Sequence, residues 1–278
     1  MTKNPIYGFK QAGSAVKKTV STMVKTVVTG TIAFSILIPT HAAPTSTEDV
    51  HQMAEVCMLA ERLLKDYAMI GMGVTYHDPA EDLKQGEEKI ITYLKNIESH
   101  GLKAELDAEV RSLEEWWHKI EKRLLAEPTK EGMVEFREEV DNFSLECEKV
   151  ADHLAIDTGI EAEHDVVLIS QLGMETQRLA ALYMMKAWGV EDPKYYEHVE
   201  EIFVEFEDIY HELMAESDEK VPAVVKEKLE FIDKQFIVFK VMAATKSDRL
   251  VPTRAEKTAS KIFDKVQEAL KLEQSLVE

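Results

Sequence analysis

The sequence predicts an all-α protein of two tandem up-down-up-down four-helix bundles, on three observations. Helix breakers are few: the 278 residues include 11 glycines and 8 prolines, and Ala, Leu, Glu and Lys, all strong helix formers, recur throughout. Apolar residues fall at helical spacing. Met133, Phe136, Val140, Phe143, Cys147, Val150 and Leu154 alternate steps of three and four, as do Val199, Ile202, Phe206, Ile209 and Leu213. Each set makes one apolar face and leaves the acids outside. Finally, the chain repeats itself. Met58, Arg62 and Tyr67 recur as Met174, Arg178 and Tyr183, 116 residues later, and Leu113 recurs as Leu229. Ser144, Lys149, Val150 and Leu154 return as Ser260, Lys265, Val266 and Leu270 at the same offset, and Asp78-Pro79 as Asp192-Pro193 at 114. Matches at a common offset over so long a stretch indicate a duplication.

The elements follow in order. Residues 1–42 are expected to be a cleavable signal peptide. Lys3, Lys10, Lys17, Lys18 and Lys25 precede an uncharged run from Thr26 to Thr40, and small residues at Ala42 and Ala43 suit cleavage. That run is short for a bilayer span, which takes about 20 residues; an uncleaved anchor in the inner membrane is the alternative. The destination is the periplasm. A polar linker, 43–47, leads to the first copy, 48–158, with helical segments at 48–72, 80–99, 103–126 and 130–157. The second copy, 159–278, has segments at 160–188, 193–216, 220–246 and 252–276. The breaks fall at Gly71 and Gly73, His100-Gly101, Pro128-Thr129, Gly189, Ser217-Asp218 and Val251-Pro252. Asp78 and Asp192, each before a proline, are expected N-caps with proline at the first helical position. With only Gly159 as a breaker between the copies, a near-continuous helix should join them.

Charge narrows the partners. The five lysines lie ahead of the first acid, Glu48; without them 28 basic residues face 52 acidic ones, a net charge of −24. Such a surface repels nucleic acid and anionic lipid. No phosphate loop, nucleophile–base arrangement or haem motif is present, so the chain reads as non-catalytic and free of cofactors. Glu115 with His118, and Glu161 with His164, have the Glu-x-x-His spacing of a di-iron bundle site. The first pair falls off the Leu113–Trp117–Ile120–Leu124 stripe, the second at the junction between copies, and no metal centre is expected.

The cysteines, Cys57 and Cys147, both lie in the first copy. Cys147 is on the apolar stripe of the fourth segment, and Cys57 on a second apolar line with Met53, Ala60 and Leu64. In antiparallel helices they stand at similar heights, so an oxidising compartment allows a disulfide; two separate buried thiols are the alternative.

The first helix of each copy is the most distinctive: MLAERLLKDYAMIGMGV from Met58 to Val74, and METQRLAALYMMKAWGV from Met174 to Val190. These stretches resemble the first helix of the NarX-like, type IV pili methyl-accepting chemotaxis protein N-terminal (PilJ-type) sensor domain, whose pattern is close to AGRQRMLSQRMAKLYLL. The Asp-Pro turn and the Trp116-Trp117 helix are also similar, and the likeness spans about residues 48–275. The resemblance implies extracytoplasmic four-helix bundles that sense small ligands, nitrate and nitrite among them, and signal through membrane modules. In those nitrate sensors the arginine directly before the motif's methionine contacts the anion at a dimer interface. Here Cys57 and Gly173 hold that place, while Arg62 and Arg178 match the motif's second arginine.

Arg62 sits on the flank of the Val56–Leu59–Leu63–Tyr67 stripe, where a guanidinium can take an anion bidentately; ion pairing with Asp66, or of Arg178 with Glu175, is the alternative. Arg62, Arg178, Met58, Met174, Tyr67 and Tyr183 are therefore the candidate ligand-binding residues. The methionines of these helices also read as core filling. Two functions follow as expectations. One is a periplasmic sensor-type module that holds a small ligand, an anion among the candidates, in one form across a homodimer interface, and acts through a separate membrane signalling protein. The other is a structural or adaptor bundle without a ligand site.

Overall fold

The computed structural model describes residues 45–246 and 249–277; the expected leader, and residues 43 and 44 of the linker, lie outside the described residues. Those residues are all-helical: α1 (Thr47–Gly71), α2 (Pro79–Ser99), α3 (Ala104–Leu124), α4 (Met133–Thr158), α5 (Ala162–Trp188), α6 (Tyr195–Ala215), α7 (Ala223–Ala244) and α8 (Pro252–Val277). A capping box starts α1: the Asp49 amide donates to the Ser46 hydroxyl at 3.2 Å, and the Ser46 amide to the Asp49 carboxylate at 2.9 Å. Asp78 precedes Pro79 at the head of α2 as expected, but in a left-handed conformation, φ +45°, and without a side-chain capping bond. The Asp192 expectation is corrected. There α6 begins at Tyr195, and the Asp192 carboxylate instead accepts from the Lys194 amide at 2.8 Å, which turns the loop before the helix.

Successive helices within each copy run antiparallel. Arg62 meets Asp82, Glu98 meets Arg111 and His153 meets Glu109; Lys186 meets Tyr196, Glu207 meets Lys240 and Lys228 meets Glu268. The ring of four closes through α1 on α4 in one copy and α5 on α8 in the other. The α4 stripe from Met133 to Leu154 is buried throughout; on α6, Val199, Ile202, Phe206 and Leu213 are buried and Ile209 is partly so.

The expected near-continuous helix between copies is not formed. Gly159 ends α4 in a left-handed conformation, φ +70°, and the chain reverses. As a result α5 runs parallel to α1 at its side, the most extensive helix pairing in the described residues. His51 faces Glu163 near the helix starts, Met58 packs at Gly173, and Gly71 lies under Trp188 at the ends. The physical reason is that α1 is buried nearly all round. Val56, Leu59 and Leu63 occupy one face, Met53, Cys57, Ala60 and Leu64 a second that meets Cys147 of α4, and Ala54, Met58 and Ala68 a third, and all are buried. The four-helix ring covers the first two faces; the third needs a further helix, and α5, buried from Glu163 to Met185 on most of its positions, supplies it, with Met58 at Gly173. Each large apolar side chain so covered contributes about 1.5–3 kcal/mol.

The repeat register also needs correcting. The offset of 116 holds for α2 and α6, where buried Leu83, Ile90 and Ile97 match Val199, Phe206 and Leu213. For α3 and α4 against α7 and α8 it becomes 119: Leu106, Val110, Leu113, Trp117, Ile120 and Leu124 match Val225, Leu229, Ile232, Phe236, Phe239 and Ala243. The extra residues lie in the longer α6–α7 loop. Leu113 thus corresponds to Ile232 rather than to Leu229. The identities at 116 along α4 and α8 fall nearly one turn away from structural equivalence.

Candidate functional site

The two arginines expected to bind ligand stand in different surroundings. Arg62 lines a cleft of about 140 Å3 between α1, α2 and α8, together with Leu59, Glu55, Asp82, Lys89 and Phe263. Its guanidinium lies 4.6 Å from the Phe263 ring centroid, over the face, and donates to Asp82 at 2.9 Å. Burial works against its charge, but Asp66, Asp82 and Glu256 outweigh that and hold the guanidinium above its usual range. Across the cleft Lys89 pairs with Glu55, whose other oxygen accepts from the Tyr93 hydroxyl at 3.0 Å. The cleft exists because α8 of the second copy reaches α1 chiefly through side chains, whereas α4 lies close against α5 on the opposite seam. At the foot of the same seam the buried Lys65 ammonium sits 2.7 Å from Glu256 on α8 and 3.2 Å from Asp66.

Arg178 is enclosed by carboxylates. It donates to Glu175 at 2.8 and 2.9 Å and to Glu205 at 2.7 Å, with Asp141 3.8 Å away. At the structural offsets, Glu175 and Glu205 stand where the first copy has Leu59 and Lys89. Burial pushes Glu175 up to about 7, against the pull of Arg178, and Glu148 up to about 8, reinforced by Glu175. Glu61 is driven well above the carboxylate range by burial and by Asp141. This side is an acid-rich core, with its arginine bound through Nη1 to Glu175 and Glu205. The ion-pair alternative therefore describes Arg178, and Arg62 also holds an acid, but one of cross-helix origin (Asp82) rather than the expected Asp66.

The other expected residues lie away from the cleft. Met58 and Met174 are buried core side chains, and Met58 fills the space beside Gly173. Tyr67 accepts from the Thr129 amide at 3.2 Å, and Tyr183 from the Val251 amide at 2.9 Å; each pins the loop ahead of its copy's last helix. Cys57 and Cys147 form a disulfide with Cα atoms 5.6 Å apart, which decides between the two cysteine readings. Cys57 is thereby held in the disulfide, and Gly173 lies against Met58, whose Sδ would be 2.5 Å from any Cβ there. Glu115 and His118 are exposed on α3, and Glu161 and His164 are exposed at the junction.

Lys89 and Phe263 are not singled out by the sequence. Lys89 carries no mark beyond its charge, and Phe263 reaches Arg62 only through the side-by-side placement of the copies. Among the described residues no helix is long and apolar enough to cross a membrane. Comparison with protein-family models, with characterised proteins and with solved structures finds no match.

Proposed function

We propose that this protein is a periplasmic, sensor-type binding module that takes a small anion in the Arg62–Lys89 cleft and passes the change in helix packing to a separate membrane protein. The observation that carries this reading is the pair of cations lining one cleft on the seam between the copies. Both partners, Asp82 and Glu55, retain some solvent contact, so an entering oxyanion or carboxylate can exchange for them without stranding a buried charge. A ligand held by α1 and α2 against α8 favours one packing of the two copies, and a population shift follows. The likeness of the first helices to the PilJ-type domain supports the sensor class, and the basic, then uncharged, N-terminus supports export. Side by side in one chain, the copies would take the place of two protomers.

The test is thermal melting of the purified chain with nitrate, nitrite, sulfate, acetate and succinate. At least one anion should raise Tm, and the shift should vanish in Arg62→Ala and Lys89→Ala but persist in Arg178→Ala. No shift with any anion, or a shift indifferent to Arg62, overturns the reading.

One observation favours the adaptor alternative. The outer face of α7 exposes Val224, Phe231, Ile237, Val238 and Val241, where the equivalent face of α3 carries Glu105, Ser112, His118, Lys119 and Lys122. An apolar stripe on one copy alone suits contact with another protein. That alternative takes over if the anions fail and Val238→Glu abolishes binding to a co-purifying membrane protein.

A further inference from the structure

The same seam holds a second cavity nearer the start of α1, of about 150 Å3, between His51 and Gln52 on one side and Gln267 and Gln274 of α8 on the other. Its walls carry polar atoms with no hydrogen-bond partner in the chain. Gln52 is only 8% exposed, yet its Oε1 is unpartnered, as are His51 Nε2 and Gln267 Nε2. Behind His51, whose Nε2 is 3.9 Å from Glu163 Oε2, Glu163 is fully buried with both oxygens unpartnered, and buried Glu273 leaves Oε1 unpartnered.

The duplication supplies an internal control. At the structural offsets His51, Gln52, Glu273 and Gln274 correspond to Val167, Leu168, Leu154 and Ala155, all buried. One seam is sealed with apolar side chains. The other, at the same places, has a cavity and polar groups whose partners must come from outside the chain, because burying such groups unpaired is unfavourable.

We propose that this cavity binds a small primary amine in its ammonium form. Three acceptors line it, Glu48 and Glu55 at the mouth and Gln52 Oε1 in the wall, with Gln267 Nε2 an unpartnered donor beside them; Glu163 and Glu273 lie behind the lining and add negative charge there. Lys271 is the single cation lining it, and its side chain is exposed. A ligand that fits must bring positive charge and several N–H donors. At about 30 Å3 per water-sized group, the volume suits about five non-hydrogen atoms. A metal ion fits less well, because among the described residues no three His, Cys, Asp or Glu side chains are gathered as a metal requires. Burial raises Glu163 and Glu273 to about 7, with Asp165 and Glu163 adding to the rise at Glu273, as befits carboxylates that await a counter-charge. Glu55 also lines the Arg62 cleft, where it pairs with Lys89; the proposal requires nothing else of that cleft.

Titration calorimetry of the purified chain with ethylammonium chloride tests it, with tetramethylammonium chloride as a cation that lacks N–H groups. Ethylammonium should bind saturably at one site, and tetramethylammonium at least about tenfold more weakly, the worth of one charge-assisted hydrogen bond. A variant carrying the residues of the sealed seam, His51→Val with Gln52→Leu, Glu273→Leu and Gln274→Ala, should lose binding and melt higher. Glu163→Gln, which keeps the volume, should weaken binding about tenfold, and Arg62→Ala should bind as the native chain does. Equal binding of the two cations, no binding of either, or undiminished binding in Glu163→Gln would overturn the proposal.

Discussion

Lys65→Ala tests the seam between the copies most severely. The native ammonium is fully buried and stands between Glu256, 2.7 Å away on α8, and Asp66, 3.2 Å away on α1. Removing it strands Glu256, whose carboxyl native Lys65 keeps below the usual range against the opposing effect of burial. Breaking one side of a buried pair costs about 3–5 kcal/mol. Losing the buried stem leaves a cavity besides, so about 4 kcal/mol or more is expected, a large share of a domain stability of about 5–15 kcal/mol. Lys65→Met with Glu256→Leu should recover most of that, since apolar replacement of a buried pair is close to neutral. Urea denaturation followed by circular dichroism at neutral pH gives both values. A loss under about 1 kcal/mol for the single variant, or a double variant no better than the single, would mean that no buried ion pair holds the seam. Lys65 and Glu256 belong to different copies, so copies strung end to end would show neither effect.

Other outcomes follow from the same geometry. Gly173→Val drives a side chain into Met58 Sδ and Val266 Cγ1, which a Cβ would approach to 2.5 and 3.1 Å; thermal melting should show about 1–3 kcal/mol of destabilisation, and no change would mean that α1 and α5 do not meet there. Reducing the Cys57–Cys147 bond, which spans 90 residues, should lower stability by about 4–5 kcal/mol on the chain-entropy estimate, and identical urea midpoints with and without reductant would contradict it. The pH response should run opposite to that of a protein held by paired carboxylates. Glu163, Glu175 and Glu273 are raised to about 7, so between their unfolded values and 7 the folded state binds more protons. Stability is then present at low pH and is lost as pH rises through about 7, by about 2 kcal/mol for one such group between about pH 5.5 and pH 8. A midpoint that climbs steadily over that range would contradict these assignments.

Much of the fold is legible in the sequence because local signals are strong. The alternating stripe from Met133 to Leu154 places α4 and its buried face, and equal heights on antiparallel helices bring Cys57 beside Cys147. The pairing of α1 with α5 is written more faintly, in a third buried line through Ala54, Met58 and Ala68, beyond the two faces that the first bundle covers. Gly159 is a weak break by sequence, yet a left-handed glycine reverses the chain, and that reversal decides which helices become neighbours. The repeat misleads in detail: chance identities at 116 along α4 and α8 conceal the longer α6–α7 loop. Of the site, Arg62 is visible from its motif. Phe263, Lys65 and Glu256 are not, because their roles depend on contacts between residues about 200 apart, and periodicity carries no record of such contacts.

Hydrogen exchange of the native chain is the sharpest test of the side-by-side copies. Because α1 and α5 share one inner core, their slowest amides should exchange together, at the opening free energy of global unfolding. If the amides of α1 and α5 opened at clearly different free energies, each with the helices of its own copy, the halves would be independent and both seam sites would lose their basis.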